Sequence, residues 1–195
     1  MMEKIFKEPE GIIYNGGAIF YAIIAYVIGF VGLFNSSVII NALATLLLGH
    51  AMIIAAYLVH ECSHNLVFKK IRFNTYLGRF LSWICGSSYG TYEDIQYKHF
   101  RHHVDNDDVV WFDYEAFFEK NPAVFKLTKM LEWFYIPAHE FIMHFIMMFS
   151  SFIIPQRKPQ RSRNSAVIII RFSLFLTLML LFPKVGVLYI FSYIL

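Results

Sequence analysis

The stretch Val59-His60-Glu61-Cys62-Ser63-His64-Asn65 decides how the rest of the chain is arranged. It begins where a long apolar run ends, and its two histidines are four residues apart, so they share one face of a helix. A second cluster, Lys98-His99-Phe100-Arg101-His102-His103, has histidines at i, i+3 and i+4, again on one helical face. Imidazole binds iron, zinc, copper and nickel, so the two clusters predict a metal site. Its predicted ligands are His60, His64, His99, His102 and His103.

The number of histidines favours two metal ions over one. A tetrahedral zinc ion is saturated by four ligands, whereas five are present in these two clusters, and His144 is a further candidate ligand. Metal-bound imidazoles usually donate their other N–H group to a carboxylate or a carbonyl. The candidates for that supporting role are Glu140, on the face of His144, and Asp105, Asp107 and Asp108, just after the second cluster.

Composition indicates an integral membrane protein. Of the 195 residues, 57% are hydrophobic and 16% are charged, and the mean hydropathy is +0.51. Soluble domains carry about 25% charged residues. The net charge of +3 is too small to indicate nucleic-acid binding. Cys62 and Cys85 have no spacing typical of a disulfide framework or a thiolate zinc site, so we expect free thiols in a reducing compartment.

Long apolar segments predict the membrane spans. Gly16–Phe34 and Val38–Val59 are each close to the ~20 residues that cross a bilayer as a helix, and they form a hairpin. Ser165–Phe182 is the next span, and Val185–Leu195 begins another. The predicted fold is therefore an all-α integral membrane protein, a single domain over residues 1–195. Its helical hairpins carry a cytoplasmic helical histidine region and interfacial helices.

Two other apolar segments are predicted not to cross the bilayer. Asn74–Tyr89 is short and contains Arg79, which is typical of an interfacial or re-entrant helix. Trp133–Ile154 has polar residues along one face and is followed by the basic stretch Pro155–Arg163, and basic flanks stay on the cytoplasmic side. We therefore expect Trp133–Ile154 to lie in the membrane interface, and the mixed Met1–Tyr14 to be a surface arm.

Isolated polar residues in the apolar segments have simpler interpretations. His50, inside the second span, is expected to hydrogen-bond to a neighbouring helix. Arg171 is expected to extend toward the basic side of the membrane. His139 is a weaker ligand candidate than His144.

A cluster of four basic residues precedes the third span. It consists of Arg157, Lys158, Arg161 and Arg163. The simpler interpretation is that it sets topology and holds lipid phosphates. The alternative is that it docks an acidic electron donor.

The two histidine clusters resemble those of a known family. H-E-C-S-H at 60–64 and H-F-R-H-H at 99–103 resemble the HxxxH and HxxHH boxes of the membrane fatty acid desaturases, and Val104–Asp108 resembles the acidic segment after the second box. The resemblance implies two iron ions held by histidines on the cytoplasmic side of four transmembrane helices. It also implies O2 as co-substrate and electrons from a ferredoxin or cytochrome b5-type protein. The reaction removes two hydrogens from a fatty acyl chain, and no side chain acts as a nucleophile.

The family pattern also contains a third HxxHH-like box after the fourth span. The 195 residues contain no such cluster, so we expect the sequence to be C-terminally incomplete, and activity to depend on the missing box.

Alternatives to a desaturase remain. His60–His64 also fits HExxH, the motif of a zinc metalloprotease with Glu61 as general base. A truncated, inactive membrane protein that keeps a metal site is a second alternative. Within the family, hydroxylases and ketolases use similar boxes.

Overall fold

A computed structural model describes residues 5–86, 92–105 and 113–194, without the side chains of Asp94, Lys98, His102, Asp105, Glu140, Met143 and His144. Its regular structure over these ranges is helical, apart from an isolated bridge between Phe6 and Phe68. The helices are α1 Tyr14–Gly32, α2 Val38–Ser63, α3 Ile71–Ile84, α4 Tyr92–Asp105, α5 Tyr114–Lys120, α6 Pro122–Trp133, α7 Ala138–Ile153, α8 Arg161–Leu181 and α9 Pro183–Ile194. Two short 3-10 helices cover Pro9–Ile12 and Pro155–Gln160.

Within the described ranges, three helical segments are long and apolar enough to cross a membrane. They are Pro9–Gly32, Val38–Ser63 and Pro155–Leu181. The first and the third each include the 3-10 helix that precedes the α-helix. α9 is apolar but shorter. The prediction of an all-α membrane protein is confirmed.

Chain contacts divide the molecule into two compact units. The first comprises residues 1–96 and 170–195, and the second comprises residues 97–169.

Small residues let α1 and α2 pack closely in the first unit. A Cβ atom on Gly29 would lie 2.9 Å from the Leu48 Cβ atom, and one on Gly32 would lie 2.7 Å from the Ala44 Cβ atom. Helices in membranes associate mainly through such close backbone approach, because lipid removes most of the hydrophobic driving force. The predicted hairpin therefore has a specific packing surface.

Asn41 joins the two helices at their turn. Its side-chain amide donates to the carbonyl oxygens of Gly32, Leu33 and Asn35, at 3.1–3.2 Å. Lys184 donates in turn to the Asn41 side-chain oxygen at 3.0 Å and to the Asn35 carbonyl. The start of α9 is thereby held at the α1–α2 turn.

Arg171 bonds to two neighbouring helices, and its direction relative to the membrane stays a prediction. Its guanidinium donates to the Tyr193 hydroxyl at 2.9 Å and to the Trp83 carbonyl at 2.7 Å, and it lies over the Trp83 ring at 5.3 Å. Trp83 is in the last turn of α3, where carbonyl groups have no partner within the helix. A cation there satisfies one such carbonyl and complements the negative end of the helix dipole.

The described part of the N-terminal segment is largely exposed, as expected of a surface arm, but it also bonds to another part of the chain. The Lys7 amide donates to the Val67 carbonyl at 3.1 Å, and the Lys69 amide donates to the Ile5 carbonyl at 3.0 Å. The rings of Phe6 and Phe68 pack with centroids 5.2 Å apart. The segment is therefore paired with the loop that follows the first histidine cluster.

Several polar side chains of the second unit complete helix ends. Asp113 accepts from the Ala116 amide at 2.9 Å and caps α5, and Glu132 accepts from the His139 amide at 3.2 Å near the start of α7. Arg161 donates to the carbonyls of Ser151 and Phe152 at the other end of α7. Each of these contacts pairs a backbone group that the helix itself leaves without a partner.

The basic cluster is therefore not a uniform exposed patch. Arg157 is 1% exposed and donates to the Gln160 side chain at 3.0 Å, while Arg161 holds the end of α7. Lys158 is exposed. Neutralising all four residues would disturb local folding as well as surface charge.

Candidate metal centre

The first histidine helix ends in a tight backbone motif. Asn65 adopts the left-handed conformation, with φ 58°, just beyond α2. The Asn65 amide donates to the Cys62 carbonyl at 2.9 Å, and the Leu66 amide donates to the Glu61 carbonyl at 3.0 Å. This bond pattern is a Schellman motif, which stops a helix at a defined residue. It fixes the last turn of α2, where His60 and His64 lie.

Within that turn the two histidines face the same side. Their ring centroids are 4.8 Å apart. The Glu61 carboxylate lies 3.1 Å from His60 Nδ1, with both side chains about half exposed. A carboxylate on one ring nitrogen orients the imidazole and leaves the other nitrogen, Nε2, for a metal. Glu61 is the general base only in the metalloprotease alternative, and its contact with His60 is not apparent from the sequence.

The second histidine helix, α4, is anchored at its start. Tyr92 is 2% exposed and packs against Gly78 of α3, where an added Cβ atom would lie 2.2 Å from the tyrosine ring. Arg79 of α3 forms a two-nitrogen contact with the Glu93 carboxylate, with Nε at 2.8 Å. Burial raises the pKa of the Tyr92 hydroxyl, so this ring stays neutral in the core.

Gln96 connects α4 to α2 directly. Its side-chain amide donates to the Ser63 carbonyl at 2.8 Å. Sequence reasoning missed this residue. The signal that could have found it is its position three residues before His99, on the same helical face.

The second pair of histidines is also close together. His99 and His103 have ring centroids 4.6 Å apart, and their Nε2 atoms are 3.1 Å apart. Two imidazole nitrogens on one metal at about 2.0–2.1 Å lie about 2.8–3.4 Å from each other, depending on whether the angle between them is octahedral or tetrahedral. The spacing of this pair therefore fits ligation of a single ion.

Four of the five predicted ligands come together. His60, His64, His99 and His103 each offer a ring nitrogen, and these atoms lie within 4.8 Å of one another. His60 and His103 are exposed, and His64 and His99 are half-buried. The four residues form a group that can bind a metal ion.

The structure does not describe the side chains of the remaining predicted site residues. The side chains of His102, His144, Glu140 and Asp105 are outside the described residues, as are Asp107 and Asp108 entirely.

The weaker histidine candidates have other partners. His139 packs between the rings of Tyr114 and Phe118, with centroids at 5.1 and 5.7 Å. His50 Nδ1 lies 2.6 Å from the Tyr21 hydroxyl of α1, which confirms the predicted hydrogen bond to a neighbouring helix. Cys62 is a buried free thiol, also as predicted.

Comparison with known proteins assigns the chain to a family. The sequence matches the family described as "Fatty acid desaturase" over residues 36–195, which includes both histidine clusters. Comparisons with curated proteins and with solved structures give no match. The family match covers most of the chain, and the chain therefore belongs to the fatty acid desaturase family.

Proposed function

We propose that this protein is a membrane-bound, oxygen-dependent fatty acyl desaturase with an iron centre held by histidines. The family is one of oxidoreductases that act on fatty acyl chains and use a metal. The single observation that carries the proposal is the group formed by His60, His64, His99 and His103. This group lies on the two helices that carry the family's paired histidine motifs.

The donor set fits iron. Four neutral imidazoles suit iron, whereas calcium and magnesium prefer oxygen ligands. The contact between Glu61 and His60 Nδ1 favours Nε2 of that ring as the metal-binding atom. His60, His64, His99 and His103 would hold the iron, and the bound metal would supply the activation of O2.

The proposal includes two irons. His102 and His144 are the further proposed ligands, and Asp105, Asp107, Asp108 and Glu140 are the proposed hydrogen-bond partners of the ligating rings. When bound, the irons supply the oxidising power that removes hydrogen from an unactivated carbon chain. The protein side chains hold the irons and orient their ligands.

The proposed reaction balances with an external donor. A –CH2–CH2– unit of the acyl chain becomes –CH=CH– and loses two hydrogens. One O2 is reduced to two waters by those two hydrogens together with two electrons and two protons from the donor. A ferredoxin or a cytochrome b5-type protein is the proposed donor.

The location follows from the same helices. α2 is long and apolar enough to span a membrane, and His60 and His64 lie in its last turn and at its cap. Lys69, Lys70 and Arg72 follow shortly after, and basic residues near a span favour the cytoplasmic side. We propose a multi-pass protein with its metal centre on the cytoplasmic face, reached by acyl chains from the membrane.

The test combines product analysis with metal analysis. The chain, as part of the longest reading frame that contains it, is expressed in a host membrane and assayed for new double bonds in cellular acyl chains by mass spectrometry. Alanine at His60, His64, His99 or His103 should abolish the product and reduce bound iron, by more than the 10–100-fold that loss of an indirect partner costs. His50→Gln is the matched control, because it keeps an acceptor for Tyr21 and should retain activity.

The outcomes separate the alternatives. Wild-type activity in two or more of the alanine variants would disprove the ligand assignment. One zinc per chain with peptide hydrolysis would favour the metalloprotease, and bound metal without turnover would favour an inactive metal-binding protein. A hydroxylated or keto product would indicate a hydroxylase or a ketolase.

A further inference from the structure

We propose that Gln96 is a positioning residue, which caps the first histidine helix and thereby sets where the second histidine helix lies. The proposal concerns its hydrogen bond to the Ser63 carbonyl, at 2.8 Å. Its consequence for metal binding rests on the proposed function, whereas its structural part does not.

The end of α2 shows why this bond matters. The last four carbonyl groups of an α-helix have no partner within the helix. Here the His60 carbonyl accepts from the Ser63 hydroxyl at 2.6 Å, and those of Glu61 and Cys62 accept from the amides of Leu66 and Asn65. The Ser63 carbonyl is the remaining one, and Gln96 supplies its donor.

Because this hydrogen bond is largely shielded from water, loss of its donor is expected to be costly. Ser63 is 1% exposed, and Gln96 is half-buried, so water replaces the bond poorly. A buried carbonyl without a partner is costly, and the backbone shifts to avoid it. Removing the amide should therefore move the end of α2, the start of α4, or both.

The position of Gln96 on α4 transmits that movement to the ligands. Gln96, His99 and His103 are spaced i, i+3 and i+7 and share one helical face. Ser63 is the residue before His64. One hydrogen bond thus joins the backbone next to a ligand of the first cluster to the helical face that carries ligands of the second.

The other anchors of α4 act on a different helix. Tyr92 packs on Gly78 and Glu93 pairs with Arg79, and both partners belong to α3. These contacts hold α4 against α3 but do not cap α2. Gln96 is expected to set the spacing between the two histidine helices while the Tyr92 and Glu93 contacts keep α4 folded.

The test uses three variants of the full chain in detergent or nanodiscs. Gln96→Met keeps the length of the side chain and removes the donor. Gln96→Lys restores a donor, since lysine side chains also bond to carbonyls at helix ends. Gln156→Ala is the matched control, at an exposed glutamine of the second unit.

The first readout needs no metal. Amide hydrogen exchange over residues 97–103 should be about tenfold faster in the Met variant than in wild type, because the cap that restrains α4 is lost. The amides of the Lys variant should exchange at close to the wild-type rate. Those of the control variant Gln156→Ala should exchange at the wild-type rate. Unchanged exchange in the Met variant would overturn the proposal, whatever the protein binds.

The second readout is binding of cobalt(II), followed by its visible ligand-field absorption. We expect roughly 10–100-fold weaker binding and an altered spectrum in Gln96→Met, as for loss of an indirect partner of a ligand, with recovery in Gln96→Lys. If wild type binds cobalt tightly and Gln96→Met binds it equally tightly, the positioning role is refuted. No binding by wild type would instead refute the proposed metal centre, and hydrogen exchange would still decide whether Gln96 positions α4.

Discussion

At the scale of single residues, Glu61 distinguishes two kinds of enzyme. A protease would need its carboxylate to activate a water molecule, whereas here it lies 3.1 Å from His60 Nδ1. That contact fixes the ring and increases its basicity toward a metal. In the proposed desaturase, Glu61 of HECSH therefore supports a ligand, whereas in the protease motif the same residue is the general base.

A substitution at Glu61 tests this role. Glu61→Ala should weaken cobalt or iron binding by roughly 10–100-fold, and Glu61→Gln by less, because the amide oxygen can still accept from His60. Metal titration of the purified protein measures the effect, with Glu119→Ala on the exposed face of α5 as control. Wild-type affinity in Glu61→Ala would contradict the supporting role.

At the scale of helices, the contact between α3 and α4 depends on one missing side chain. The Tyr92 ring occupies the space where a Cβ atom of Gly78 would lie, 2.2 Å from the ring. The ring is buried, so it cannot move to solvent without exposing apolar surface. Gly78 therefore determines how closely the second histidine helix approaches α3.

We expect Gly78→Ala to destabilise the protein by about 1–3 kcal/mol, which is typical of overpacking, and to lower the melting temperature by roughly 2–10 °C. Thermal unfolding in detergent measures the change. Gly17→Ala is the matched control, because nothing lies within 4 Å of its added Cβ atom and alanine favours a helix. Adding Tyr92→Leu should recover part of the loss, and failure to do so would argue against the proposed clash.

The same scale applies to Arg171, which joins three helices. Its bonds to the Trp83 carbonyl and the Tyr193 hydroxyl connect α8 with α3 and α9. Arg171→Met should cost about 1.5–3 kcal/mol, because hydrogen bonds to a charged group are lost. Thermal unfolding of Arg171→Met measures this loss, with Lys126→Met at an exposed position as the control. If Arg171→Met and wild type have equal melting temperatures, the bonds contribute nothing to stability.

At the scale of the whole molecule, the open question is which segments cross the bilayer. α7 has 16 residues and is not among the described helices long and apolar enough to span. About 20 residues are needed for a ~30 Å hydrocarbon core. The prediction that Trp133–Ile154 lies in the interface therefore requires its two flanks to be on the same side.

Cysteine labelling tests that topology. Single cysteines at the exposed positions Ala123 and Gln156 are placed in a chain whose Cys85 is replaced by alanine, since Cys62 is buried. An impermeant thiol reagent applied from each side in turn should label both positions from the same side. Labelling from opposite sides would make the segment a span and would reverse the predicted orientation of everything after it.

The sequence by itself determined the features that depend on neighbours along the chain. Apolar length indicated the spans, and i, i+3 and i+4 spacing placed each set of histidines on one helical face. It also predicted the His50 hydrogen bond, because a polar group within a span needs a partner. These features depend on residues close together in the chain, so the spacing of residue types along the sequence is enough to predict them.

Only the tertiary structure decided which distant groups meet. Gln96 bonds to a carbonyl 33 residues away, and Arg171 bonds to one 88 residues away. In both cases the partner is a backbone carbonyl. Every residue has one, so the amino-acid sequence does not indicate which carbonyl accepts the bond. Such contacts arise because helix ends leave carbonyls without partners inside the helix, and folding brings a donor to them from elsewhere in the chain.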